Sequence, residues 1–134
     1  MPFRLLFDRA RRVIVARFGH TMDGPSLHSM RAAVKAFVTR EGDCPAIVDF
    51  TAVTEANVPG SFIADLARAG PVIVGEKRIL VAPRPEIFGM SRMYELNQPE
   101  TSDRTLVVRT LAEAYALLGV DTLDLEEIEP GGAA

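Results

Sequence analysis

Two short runs rich in β-branched and aromatic side chains, Phe3 to Asp8 and Val13 to Phe18, open the chain with only four residues between them. A crossover between parallel strands needs a dozen or more residues, whereas a hairpin needs few, so the pair is expected to begin an antiparallel sheet. The period of the apolar positions then changes. Leu27, Met30, Val34, Phe37 and Val38 recur at helical spacing through about Arg40, behind Asp23-Gly24-Pro25, which supplies an N-cap and a proline suited to a first turn. The other face of this helix carries His28, Arg31, Lys35 and Thr39, and Gly42 ends it. Ala46 to Phe50 reads as a short strand with Asp49 near its end, and Thr51 to Gly60 as a loop. A second helix, Ser61 to Ala69, turns Ile63, Leu66 and Ala67 inward and stops at Gly70-Pro71.

Ile79 to Ala82 is the most continuously apolar stretch, the pattern of a central strand covered on both faces. Pro83 and Pro85 break it and start a third helix, Glu86 to Leu96, in which Met90, Met93 and Tyr94 are expected in the core. Gly89, unfavourable inside a helix by roughly 1 kcal/mol relative to Ala, suggests a close backbone approach. Asn97 to Asp103 is a polar loop, Thr105 to Arg109 the last strand, and Thr110 to Glu113 a capping box. The final helix has Leu111, Ala114, Tyr115 and Leu118 as its buried stripe and Gly119 as its cap. From Val120 to Ala134 there are five acids and no bases, so a flexible acidic tail is expected there, after one domain over residues 1–119. The order ββαβαβαβα predicts an α/β fold: a mixed sheet with an N-terminal antiparallel hairpin, later strands made parallel by helical crossovers, and helices packed on the sheet.

With 134 residues, 48% hydrophobic and 25% charged, the chain has the size and composition of one globular domain. No apolar run approaches the roughly 20 residues of a spanning helix, and the first ten residues are too charged for a secretory segment, so a cytoplasmic location is the expectation. Cys44 has no second cysteine to pair with and reads as a small buried hydrophobe. Charge is segregated: the first 40 residues hold eight Lys/Arg against two Asp/Glu, and the remainder seven against sixteen. Such a split is a solvated surface, a face for a protein partner, or a means for two copies to associate antiparallel, each end attracting the other's opposite end. A pI near 5.4, with no aromatics interleaving Arg9, Arg11, Arg12 and Arg17, speaks against nucleic acid.

The segment Ile47-Val48-Asp49-Phe50-Thr51-Ala52-Val53-Thr54 resembles the strand of the form (L/V)-D-(L/F)-S-x-V-T found in the SpoIIAA-like (STAS) family of anti-sigma-factor antagonists. Phe88-Gly89-Met90-Ser91-Arg92-Met93-Tyr94-Glu95 is similar to the third helix of bacterial proteins grouped with STAS and SEC14-like domains. The likeness covers about residues 3–119. It implies a non-enzymatic interaction or regulatory module, with a SEC14-like pocket for a small ligand or lipid as the alternative; Met90, Met93, Phe88 and Phe62 would line that pocket. The family's regulatory Asp-Ser-Ser-Gly aligns, on its glycine, with Asn57-Val58-Pro59-Gly60. Neither valine nor proline has a hydroxyl to phosphorylate, so the usual switch is missing. Ser61, one residue on, is either an N-cap or a displaced acceptor.

No phosphate loop, nucleophile elbow or dinucleotide fingerprint occurs, and the reading is of a protein without enzymatic activity or cofactor. Asp49 ends a strand as a phosphoacceptor would, yet the first strand offers only Asp8 as an acidic companion, so Asp49 is expected to hold the following loop. His20, Asp23 and His28 fit no metal-ligand spacing, and Cys44 has no local histidine base. Ligands of open α/β sheets gather beyond the C-terminal ends of parallel strands. There the sequence places Thr51, Thr54, Glu55, Asn57, Arg84 and Arg92, with Ser61 beside them, as candidate contacts for a protein partner, a second copy or a small apolar ligand.

Overall fold

The first hairpin forms because Phe3–Asp8 (β1) and Val13–Phe18 (β2) alternate their larger side chains between two faces and pair antiparallel, Phe3 opposite Phe18 and Asp8 opposite Val13. In the computed structural model, which describes residues 2–99 and 104–128, Arg12 closes this turn at φ 54°. Its guanidinium donates to the carbonyl of Glu41 at 2.7 Å, tying the hairpin to the end of the first helix, where bare carbonyls favour a cation.

Thr21–Asp23 (β3) leads into Gly24–Glu41 (α1) through a reciprocal cap: Ser26 N–H donates to Asp23 Oδ1 at 2.8 Å and Asp23 N–H to Ser26 Oγ at 2.9 Å. Gly42, at φ 93°, takes the chain out of that helix in a conformation side chains resist. Ala46–Asp49 (β4), Glu55–Asn57 (β5), Gly60–Ala69 (α2), Arg78–Val81 (β6), Pro85–Leu96 (α3), Thr105–Val108 (β7), Leu111–Leu118 (α4) and Glu126–Ile128 (β8) follow.

The six-stranded sheet runs β7-β6-β4-β2-β1-β8, and β3 pairs in parallel with β5 in a separate ribbon. Strands β2, β4, β6 and β7 are parallel to one another, while β1 is antiparallel to both of its neighbours. The chain is thus an α/β protein with a mixed sheet, as expected. On one face Phe3, Leu5, Phe7, Ile14, Ala16 and Phe18 meet α1, α2 and α3; on the other, Leu6, Val13, Val15, Ile47, Ile79 and Val81 meet Ala114 of α4. No helix among the described residues is long and apolar enough to cross a membrane.

Several expectations are corrected. The segment 51–60, read as a loop, contains β5, and α2 starts at Gly60 with Pro59 as its cap residue, so Ser61 is not the N-cap. A Cβ on Gly89 would meet nothing within 4 Å, so no close approach accounts for it. Met93 is 39% exposed and not core, lying beside Gly60 at the start of α2 rather than against the sheet. The expected tail carries a strand, β8, which pairs antiparallel with β1, Leu5 opposite Ile128 and Phe7 opposite Glu126. Arg4 and Arg9 reach across to Glu127 and Glu126 at 3.1 and 3.0 Å, so the segregated charges meet within one chain. Residues 100–103 of the polar loop and 129–134 of the tail lie outside the described residues.

Asp8 anchors this closure. It is fully buried, and its carboxylate accepts from the Arg11 amide and from the Asp124 amide, both at 2.8 Å, and from the Arg11 guanidinium at 3.0 Å. The two backbone amides, with the guanidinium assisting, hold its carboxyl below the ordinary value against the opposing effect of burial. Asp8 therefore contributes stability that is complete above the ordinary carboxylate pKa and is lost as pH falls through the depressed one. Asp8→Asn is expected to lower the melting temperature at pH 7, flatten its acid dependence and speed amide exchange at 123–128; unchanged exchange there would show that the clasp is redundant.

Candidate functional site

The face of the sheet under α1, α2 and α3 is filled unevenly. Beneath one half, aromatic rings interlock: Phe3 with Phe18 at 5.8 Å between centroids, Phe18 with Phe50 at 5.3 Å, and Phe7 with Phe37 of α1 at 4.9 Å. Beneath the other half, β2 and β4 present Ala16 and Ala46, set diagonally, each beside a branched neighbour: Ile14 pairs with Ala46 and Ala16 with Val48. There the layers do not close, and a cavity of about 130 Å³ remains.

Ile14, Ala16, Ala46, Val48 and Leu80 make its floor, and Met30, Val34, Ile63 and Met90 are among the residues of its roof. Its rim includes half-buried Arg31 and Leu66 and exposed Pro71, so the space is reachable where α1 passes the connection from α2 to β6. Few polar groups touch it. Arg78 and Thr105 are both buried and bonded to each other at 3.1 Å, and Arg78 also donates to the Ile73 carbonyl at 2.8 Å. Arg31 donates to the Gly70 carbonyl at 2.9 Å. Ser91 is 4% exposed, and Tyr94 is half-buried one turn along α3.

None of the seven candidate residues lines this cavity. Thr54, Glu55 and Asn57 come together in a separate polar groove along β3 and β5, with Thr21, Asp23 and Glu86. The amides of Thr54 and Glu55 both donate to the His20 carbonyl, at 2.8 and 3.0 Å, which holds that ribbon in place. Thr51 sits exposed in the turn after β4, and Ser61 is exposed in the first turn of α2. Arg84 pairs with Glu86 at 3.1 Å and Arg92 with Glu95, both on the surface of α3. Of the four side chains expected in an apolar pocket, Met90 lines the cavity; Phe62 packs over Gly24, and Phe88 lies under the Arg109 guanidinium at 4.1 Å. The signal missed in the sequence was an absence of bulk: two alanines in otherwise β-branched and aromatic strands.

Asp49 is buried, its Oδ1 accepting from the Thr51 amide at 2.8 Å and its Oδ2 from Arg17 at 2.9 Å, so it braces the turn and a neighbouring strand. No group of three His, Cys, Asp or Glu among the described residues is placed to hold a metal ion. No protein-family model, no curated protein and no solved structure matches this chain.

Cys44 is 1% exposed, and burial pushes its thiol above the usual cysteine value, so little nucleophilic thiolate forms at neutral pH. Iodoacetamide at pH 7 is expected to label Cys44 on the order of a hundredfold more slowly in the native protein than in guanidinium; comparable rates would mean that the strand entrance opens freely.

Proposed function

We propose that this chain is a non-enzymatic binding domain that takes a small, mostly apolar molecule into the space between its sheet and α1, α2 and α3. The observation carrying this reading is the cavity itself: about 130 Å³, bounded mostly by apolar side chains and open at one rim. At about 24 cal/mol per Å³ for unfilled core, an empty space of this size costs about 3 kcal/mol, a large fraction of a small domain's stability. An apolar guest would recover much of that. Volumes of about 150 Å³ with such linings stay dry and accept single-ring compounds, which sets the scale of the occupant.

The STAS-type kinship belongs to the same proposal. In its support, the opening strands form an adjacent antiparallel pair, and Gly60 stands at the head of α2. A second reading, a protein-interaction module without a serine switch, is favoured by the exposed rim of Thr51, Thr54, Glu55, Asn57 and Ser61 beside the polar groove.

Benzene is expected to shift the methyl resonances of Met30, Val34, Val48, Ile63 and Leu80 in the NMR spectrum of the wild-type protein. Ala46→Leu, which extends a side chain into the space, is expected to abolish those shifts and to raise stability by about 0.5–2 kcal/mol, as cavity filling does. A wild-type spectrum unmoved by saturating benzene would overturn the reading.

A further inference from the structure

Arg31 differs from most of the cavity wall in carrying charge. Among the described residues its guanidinium donates only to the Gly70 carbonyl and forms no ion pair, although it is half-buried beside Leu27, Met30 and Leu66. Arg17, Arg40, Arg68, Arg84 and Arg92 each have a carboxylate within salt-bridge distance. A carbonyl dipole answers only part of a full charge, and the planar guanidinium keeps further N–H groups in the fork geometry that matches a carboxylate.

Ser91, within α3 and more than nine-tenths buried, adds a hydroxyl to the lining of the same cavity.

We infer that the occupant is a small monocarboxylate: an apolar body of about one ring or a short branched chain fills the space over Ala16 and Ala46, and its carboxylate pairs with the Arg31 guanidinium at the rim. This rests on the cavity being a binding site and adds the charge and the residue that selects it. One rim guanidinium without a carboxylate matches one negative charge, and the mostly apolar wall beyond it disfavours burying a second charge.

The test compares benzoate with benzamide, nearly identical in shape and different in charge, by NMR titration of the whole chain. Wild type is expected to bind benzoate at least tenfold more tightly. Arg31→Met is expected to remove that preference while benzamide affinity stays within about threefold, and Arg31→Lys to keep part of it, which covers the case of a poorly folding methionine variant. Equal affinities in wild type, or a preference surviving in Arg31→Met, would overturn the assignment of the anion while leaving the cavity as a site for neutral guests. If benzene, benzamide and benzoate all fail to move the cavity methyls, the binding site falls and the carboxylate with it.

Discussion

Helix α1 cannot lie equally close to every strand it crosses. The rings of Phe7 and Phe37 fill the layer where it meets β1, and further along the same face Ala16 and Ala46 reach only a methyl's length above β2 and β4. Side chains in a core pack to nearly crystalline density when their volumes are complementary. Here bulky and minimal residues share one plane, so the helices resting on the bulky ones leave space over the minimal ones. The position of the cavity follows from that unevenness.

Long elements with a clear period were legible in the sequence. The hairpin, the eighteen-residue α1 with its aspartate cap, and the alternation of strand and helix up to Gly119 all occur where the apolar spacing placed them. The three-residue strands β3, β5 and β8 were not, because three residues are too few to show alternation. Glu126 and Glu127 in particular read as solvated tail, and they are strand because β1, more than a hundred residues away in the chain, lies alongside them. The cavity escaped for a related reason. Ala16, Ala46 and Ser91 are individually unremarkable residues, and the space among them belongs to the packing of helices on the sheet rather than to any one segment.

The opposed charges of the two chain ends invite an explanation through surface ion pairs, yet magnitudes point elsewhere. The Arg4–Glu127 and Arg9–Glu126 pairs are more than half exposed, and pairs of that kind contribute about 0–1 kcal/mol each. Asp8 is different in kind. Its carboxylate is withdrawn from water and joins two backbone amides from opposite ends of the chain, so its loss would leave buried donors without partners. The exposed arginines set the register of β8, while the buried aspartate holds it.

The pairing of β1 with β8 also has a bearing on biosynthesis. A polypeptide emerges from its N-terminus at a finite pace, and Asp8 precedes the amide it will bind by 116 residues. During that interval the nascent hairpin shows an open border of unsatisfied peptide groups, the kind of template that recruits neighbouring chains into aggregates. Arg4 and Arg9 stand along that border from the beginning. Their like charges would repel a second nascent hairpin until Glu126 and Glu127 arrive to neutralise them, so the residues that later guide closure also protect the unfinished molecule.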